Sequence, residues 1–159
     1  MLCVKRYDSA DGKRGVKTKV EPTLQEAPGV YNDTILAGLD YLLMEMGKRK
    51  MLAVLYLNNS WEWSGGYGYY LEQAGLGQAP RPNDDGYPAF MNFVAKYASR
   101  EKAHQLFYDY VKFILTRTNR YTKKKYKDDP AIMSWQIGNE PRAFSKEQLP
   151  AFEKWLGEA

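Results

Sequence analysis

The sequence predicts an α/β protein built on a parallel sheet. Two continuous apolar runs of strand length carry that reading, residues 51–57 (MLAVLYL) and 131–138 (AIMSWQIG). Helical patterns precede and follow each run, so strand and helix alternate along the chain. A run apolar on both faces suits a strand covered on both sides. Successive strand–helix units in one sheet imply parallel strands joined by right-handed crossovers.

The elements follow in order. Residues 2–5 read as a short strand, and residues 8–28, rich in Gly, Lys and Pro, as a long loop. Asp33 or Asn32 caps a helix whose apolar stripe is Ile35, Leu36, Leu39, Leu42, Leu43 and Met46. Gly47 and the cations Lys48 to Lys50 end it. After the 51–57 strand, residues 58–88 form a long connection with many glycines and the rings of Trp61, Trp63, Tyr67, Tyr69 and Tyr70. A connection of that length in a compact domain is functional or disordered, and the aromatics argue against disorder. Residues 90–97 read as a short helix. Ser99 caps a longer one, from residue 100 to about 119, with Ala103, Leu106, Phe107, Tyr110, Val111 and Ile114 on its inner face. His104 lies one position off that stripe, where a boundary histidine belongs. After the 131–138 strand, Ser145 and Gln148 match a capping box for a helix through Phe152 and Leu156.

Composition excludes several classes. The chain has 159 residues, 44% of them hydrophobic and 26% charged, as in an ordinary globular protein. No apolar run approaches the roughly 18 residues of a membrane span. One cysteine, Cys3, and one histidine, His104, exclude a disulfide framework and a multi-histidine metal site within the chain. The net charge of +4 is concentrated in residues 117–127, with Arg117, Arg120, Lys123, Lys124, Lys125 and Lys127. Such a run after a helical pattern reads as a solvated helix end, because cations favour the negative end of the helix dipole. A phosphate-binding patch is the alternative reading, but no nucleic-acid motif accompanies the run.

The chemistry collects at one sheet edge. In parallel α/β proteins the strand-to-helix loops sit at the C-terminal ends of the strands, where ligands bind. Glu140 follows the 131–138 strand almost at once. Glycoside hydrolysis needs one carboxylic acid to protonate the leaving oxygen, and a second carboxylate to attack or to activate water. Asn139 offers an amide to a sugar hydroxyl, and Arg142 a charge that keeps a nearby carboxylate ionised. The plainer reading of the same residues is a turn with a surface ion pair. The second cluster runs over residues 58–67 (NNSWEWSGGY). There Asn59 supplies an amide, and Trp61 and Trp63 supply flat faces that stack on sugar rings. Glu62, Asp84 and Asp85 are the other acids near that edge. Neither cluster has metal-ligand spacing, and two-carboxylate chemistry needs no cofactor.

Residues 128–142 (DDPAIMSWQIGNEPR) resemble the fourth-strand signature of family 5 glycoside hydrolases, in which a strand ends in Asn-Glu-Pro. The nearest subgroup is the endo-β-1,4-mannanases, with a Trp-x-x-x-Asn-Glu-Pro-Arg pattern after Asp-Pro. Residues 57–66 resemble the loop after that family's third strand, and residues 31–49 the helix before it. The resemblance implies part of a (β/α)₈ TIM barrel, roughly the second to fourth βα units, with residues 1–159 a partial catalytic domain truncated at both ends. A complete barrel takes about 250 residues. It implies a retaining hydrolase of mannan, glucomannan or galactomannan, with Glu140 as general acid/base and Asn139 against the sugar 2-hydroxyl. Trp61, Asn59, Trp63 and Arg142 become the substrate-binding residues. The family's nucleophile glutamate lies on a later strand, so the 159-residue chain alone is expected to lack turnover. A cellulase-type endoglucanase and a non-catalytic carbohydrate-binding fragment are the alternatives. No nucleic acid and no membrane partner is expected. Secretion or periplasmic export is expected for such an enzyme, although no signal peptide is read in this chain.

Overall fold

The computed structural model describes residues 22–63 and 66–159. The expected strand at residues 2–5 and Cys3 lie outside the described residues, as does most of the 8–28 loop. The described end of that loop is not irregular. β1 (Gln25–Ala27) and β2 (Val30–Tyr31) form an antiparallel hairpin. Gly29 turns it with φ +76°, a conformation in which a Cβ is disfavoured.

Helix α1 (Asp33–Lys48) begins where expected. The Asn32 side chain accepts from the N–H groups of Thr34 and Ile35 at 3.0 and 3.3 Å. That satisfies two donors which have no partner inside the helix. The end differs from the sequence reading. Gly47 lies within the last turn, and the left-handed residue that stops the helix is Lys50, at φ +56°. The Met51 N–H then closes the turn on the Met46 carbonyl at 2.9 Å.

β3 (Ala53–Tyr56) and β4 (Ile132–Gln136) are parallel neighbours, in the register Leu55↔Trp135 and Tyr56↔Gln136. Both fall inside the apolar runs that marked them. Between them the chain makes helices instead of a long loop. α2 (Gly66–Gln73), α3 (Pro82–Asp85) and α4 (Tyr87–Val94) lead into a 3₁₀ turn (Ala95–Ser99) and then α5 (Glu101–Thr116). Ser99 closes that 3₁₀ turn and does not cap α5; Arg100 occupies the cap without a side-chain bond. Ala103, Phe107, Tyr110 and Ile114 are buried, as the stripe requires, and Leu106 and Val111 are partly buried. A second 3₁₀ turn (Tyr126–Asp128) precedes β4, and α6 (Leu149–Glu158) follows it. The Ser145 hydroxyl accepts the Gln148 N–H at 3.4 Å, but the helix starts after Gln148, later than a cap at Ser145 would place it.

The core is unusually aromatic. Tyr67 and Tyr97 stack with centroids 4.2 Å apart and planes 8° off parallel. Trp155 stands edge-on to both, at 5.9 and 5.0 Å, and joins α6 to α2. Burial pushes the Tyr67 phenol up to about 12. Many of the tyrosines are core: Tyr67, Tyr69, Tyr70, Tyr97, Tyr110 and Tyr126 are all buried.

His104 sits at the α5–α6 seam. Its Nε2–H donates to the Tyr97 carbonyl at 2.6 Å, and its ring lies 5.6 Å from Trp155. Burial lowers its affinity for protons, although the Tyr97 carbonyl, Glu158 and Glu101 pull the other way. The folded state therefore favours the neutral ring. The unfolded chain takes up the proton first as pH falls, so stability drops below the ordinary value of 6.5. We expect the urea midpoint of the intact protein to fall between about pH 7 and about pH 5, with part of that slope removed in His104→Gln. An unchanged slope in the variant would assign the loss to other groups.

Candidate active site

The backbone registers the two loops before any side chain is considered. The pairing of β3 with β4 continues past the strands. The Leu57 N–H donates to the Gln136 carbonyl at 2.8 Å, and the Asn139 N–H to the Asn58 carbonyl at 3.0 Å. Asn59 and Asn139 form a further parallel bridge. The loop after β3 is thereby laid alongside the loop after β4, at the C-terminal edge of both strands.

That placement brings Trp61 to Glu140. The indole Nε1–H donates to Glu140 Oε2 at 3.0 Å. The Arg142 guanidinium lies 3.8 Å from the same oxygen, and its carbon is 5.0 Å from the centre of the Trp61 ring. Glu140 keeps 58% of its side-chain surface exposed, so the carboxylate is held and still reachable. Its backbone has φ +48°, a left-handed conformation that costs energy for a residue with a Cβ. Such outliers persist where surrounding contacts over-determine them. Here the Asn139 bridge holds one side, and the Trp61 and Arg142 contacts hold the other.

Trp61 is itself wedged. Its own N–H donates to Asn59 Oδ1 at 3.0 Å, which fixes the turn that carries it. Phe144 meets its ring edge-on at 5.0 Å, Tyr87 edge-on at 5.9 Å, and Phe90 lies nearly parallel at 6.2 Å. Trp63 is 6.0 Å away and 44% exposed, which leaves its ring open to a ligand. The turn also needs Gly66, at φ +56°, because a Cβ there would come 1.9 Å from the Trp61 carbonyl oxygen.

The six residues singled out in the sequence thus lie along one edge, but not in equal roles. Glu140, Trp61 and Arg142 touch one another. Asn139 is partly buried and bridges the two loops, and Trp63 faces outward. Asn59 is only 2% exposed, so it shapes the loop from beneath rather than presenting its amide to solvent. Of the other acids, Glu62 is buried at 2% exposed, and the Asp85 carboxylate accepts the Arg81 N–H at 2.8 Å. Tyr67, Tyr69 and Tyr70 belong to the core and not to the edge. Phe144, Tyr87 and Phe90 went unnoticed in the sequence as neighbours of Trp61. Their only signal was aromatic character in segments bound for the same edge. Among the described residues no cluster of three or more His, Cys, Asp or Glu side chains could hold a metal.

Comparison with known proteins gives the chain a family and a fold. The family model described as "GH family 5 beta-mannosidase-like" matches residues 3–159. Mannan endo-1,4-beta-mannosidase 4 of Solanum lycopersicum is 37% identical over 133 residues, which are 84% of this chain and 31% of that protein. A glycoside hydrolase family 5 mannosidase from Rhizomucor miehei, solved in complex with mannosyl-fructose, superposes with a TM-score of 0.73 at 37% identity. That match covers 87% of this chain and 36% of the other. The endo-beta-1,4-mannanase of Thermotoga petrophila shares the fold, with a TM-score of 0.68 at 22% identity over 85% of this chain and 28% of its own. The chain therefore spans about a third of the length of these relatives.

Proposed function

Because this chain belongs to glycoside hydrolase family 5, we propose that it is part of the catalytic (β/α)₈ barrel of a retaining endo-β-1,4-mannanase, with Glu140 as its general acid/base. In that reading β3 and β4, with their helices, are the third and fourth of roughly the second to fourth βα units. The observation that carries the proposal is the half-exposed Glu140 carboxylate, held at the C-terminal edge by the Trp61 indole at 3.0 Å.

The chemistry follows from the arrangement. Oε2 is engaged by Trp61 and faces Arg142, so Oε1 is the oxygen left to carry the proton. Protonated Glu140 gives that proton to the glycosidic oxygen as the bond to the anomeric carbon breaks. A second glutamate, on a later strand of the barrel, attacks that carbon and forms the glycosyl–enzyme ester. Glu140, now ionised, takes a proton from water, whose oxygen displaces the ester and restores the original anomeric configuration. Asn139 supports the sugar 2-hydroxyl beside the cleaved bond. Trp63, with Trp61 and Arg142, lines the subsites. A polymeric substrate lies outside the cell, so secretion or periplasmic export belongs to the same proposal.

The test is hydrolysis of mannan against carboxymethylcellulose by the intact protein that carries this chain, with the first-formed anomer read by NMR. Faster cleavage of mannan with retained β configuration supports the proposal. A preference for carboxymethylcellulose makes the enzyme an endoglucanase. Binding of mannan without cleavage leaves a carbohydrate-binding protein.

A further inference from the structure

We propose that Trp61 is a positioning residue for Glu140: its indole N–H fixes which carboxyl oxygen carries the transferable proton and where that oxygen stands. This role rests on the acid/base reading of Glu140 and adds a second residue to it. It also gives Trp61 a duty other than stacking on sugar.

The torsion that sets the plane of a glutamate carboxyl is soft, with no sharp rotamer of its own. The Glu140 side chain is 58% exposed, so its orientation depends on what binds it. Two groups approach Oε2. The Arg142 guanidinium stands 3.8 Å away and is 51% exposed. That distance is too long for a hydrogen bond, and an ion pair half in water contributes little. The Trp61 Nε1–H, at 3.0 Å, makes a hydrogen bond of ordinary length. Trp61, rather than Arg142, therefore orients the carboxyl.

The kind of donor matters as much as the distance. An indole nitrogen donates and never accepts. It satisfies Oε2 in the carboxylate and in the carboxylic acid alike, provided that the acid proton is on Oε1. A hydroxyl oxygen in the Oε2 position accepts more weakly than a carbonyl oxygen, so the N–H favours the proton on Oε1. The same oxygen then serves both halves of the reaction, when Glu140 gives up its proton and when it takes one from water.

The indole is itself held from several sides. Its backbone N–H donates to Asn59 Oδ1 at 3.0 Å, and Asn59 is only 2% exposed. Phe90, with no exposed surface, lies 15° off parallel at 6.2 Å, and Phe144 meets the ring edge-on at 5.0 Å. The Arg142 guanidinium carbon is 5.0 Å from the ring centre. A packed side chain passes its position to the group it binds, and a misplacement of about 1 Å at a reacting centre costs roughly 10²-fold in rate. Trp63, 44% exposed, has the more open ring of the pair.

The experiment compares three forms of the intact protein: Trp61→Phe, Trp61 replaced by benzothienylalanine, and Glu140→Ala. The benzothienyl ring keeps the shape of indole and loses only the N–H, so it separates the hydrogen bond from the packing that Trp61→Phe also disturbs. On mannan we expect both Trp61 forms to lower kcat by roughly 10- to 100-fold, with KM within about twofold. A ring that only stacks on sugar raises KM instead. On a dinitrophenyl β-mannobioside the leaving group needs no proton, and azide attacks the glycosyl–enzyme ester with no proton to lose. We expect azide to accelerate turnover of this substrate by both Trp61 forms and by Glu140→Ala. Adding the benzothienyl ring to Glu140→Ala changes that rate by less than about twofold, because both changes remove one interaction. Unchanged kcat on mannan in the benzothienyl form overturns the proposal. So does a loss that azide leaves in place, or one that persists in full on top of Glu140→Ala. Glu140→Ala that retains turnover on mannan overturns the acid/base reading itself, and the role of Trp61 with it.

Discussion

In the proposed reaction, replacing Glu140 with Gln is expected to lower kcat of the intact protein on mannan by roughly 10²- to 10⁴-fold, the range for loss of a general acid/base. The substitution is nearly isosteric. The amide oxygen still accepts the Trp61 indole N–H that Oε2 accepts at 3.0 Å, so the side chain keeps its orientation. What is lost is a proton that can be given and recovered. Substrate affinity therefore changes little, and the effect falls on kcat, as for an interaction made only in the transition state. The loss of the first step shrinks on an aryl mannoside whose leaving group departs without protonation. That contrast separates an acid/base from a residue that merely holds the loops together. Near-normal turnover on unactivated mannan would remove Glu140 from the role.

Asp40→Asn destabilises the intact protein by about 3–5 kcal/mol, the usual loss when one partner of a buried ion pair is removed. Asp40 has no exposed surface, although it belongs to a helix otherwise half in water. Arg117 grips it through Nε and Nη2 at 3.0 and 2.6 Å, and the Tyr126 hydroxyl donates to it at 2.6 Å. Burial pushes the Asp40 carboxyl up, but the Arg117 and Tyr126 hydrogen bonds outweigh it and leave the group below its ordinary range. Its stabilisation is thus present at neutral pH and disappears as acid protonates the folded carboxyl. The asparagine variant leaves the Arg117 guanidinium, itself only 12% exposed, with the exposed Asp33 carboxylate at 3.2 Å as its remaining counter-charge. Denaturant unfolding at neutral pH measures the loss. Asp40→Asn and Arg117→Met combined cost less than the sum of the two, because both remove one interaction. Strict additivity would show that the two side chains do not act as a unit.

The Asp40 cluster also corrects the reading of the basic run at residues 117–127. Composition assigns its cations to water. Arg117 instead turns inward, and Arg120 pairs with Asp33 on the far helix. α5 stops at Thr116, and the rest of the run is a turn closed by the Thr118–Lys125 bridge. A one-dimensional reading sees like charges in sequence and not the acids that α1 brings to them. The same limit hid α2. Two glycines and three aromatic residues in GYGYYLEQ have poor helix propensity, and burial overrides it.

Local chemistry was enough for much of the rest. Apolar runs marked β3 and β4, although the expected cover on both faces is not seen among the described residues: no residue of β4 is buried, and Met133 is 62% exposed. Asn32 marked the start of α1, because a cap acts on its own neighbours. The Asn-Glu-Pro motif marked Glu140, because the end of a parallel strand is also the edge of its sheet. Tertiary structure alone decided which residues meet across the chain. The parallel register sets Trp61 against Glu140, makes Asn59 a buried support, and sends Tyr67, Tyr69 and Tyr70 into the core. These outcomes depend on distances between segments far apart in sequence, and no pattern of neighbouring residues encodes them.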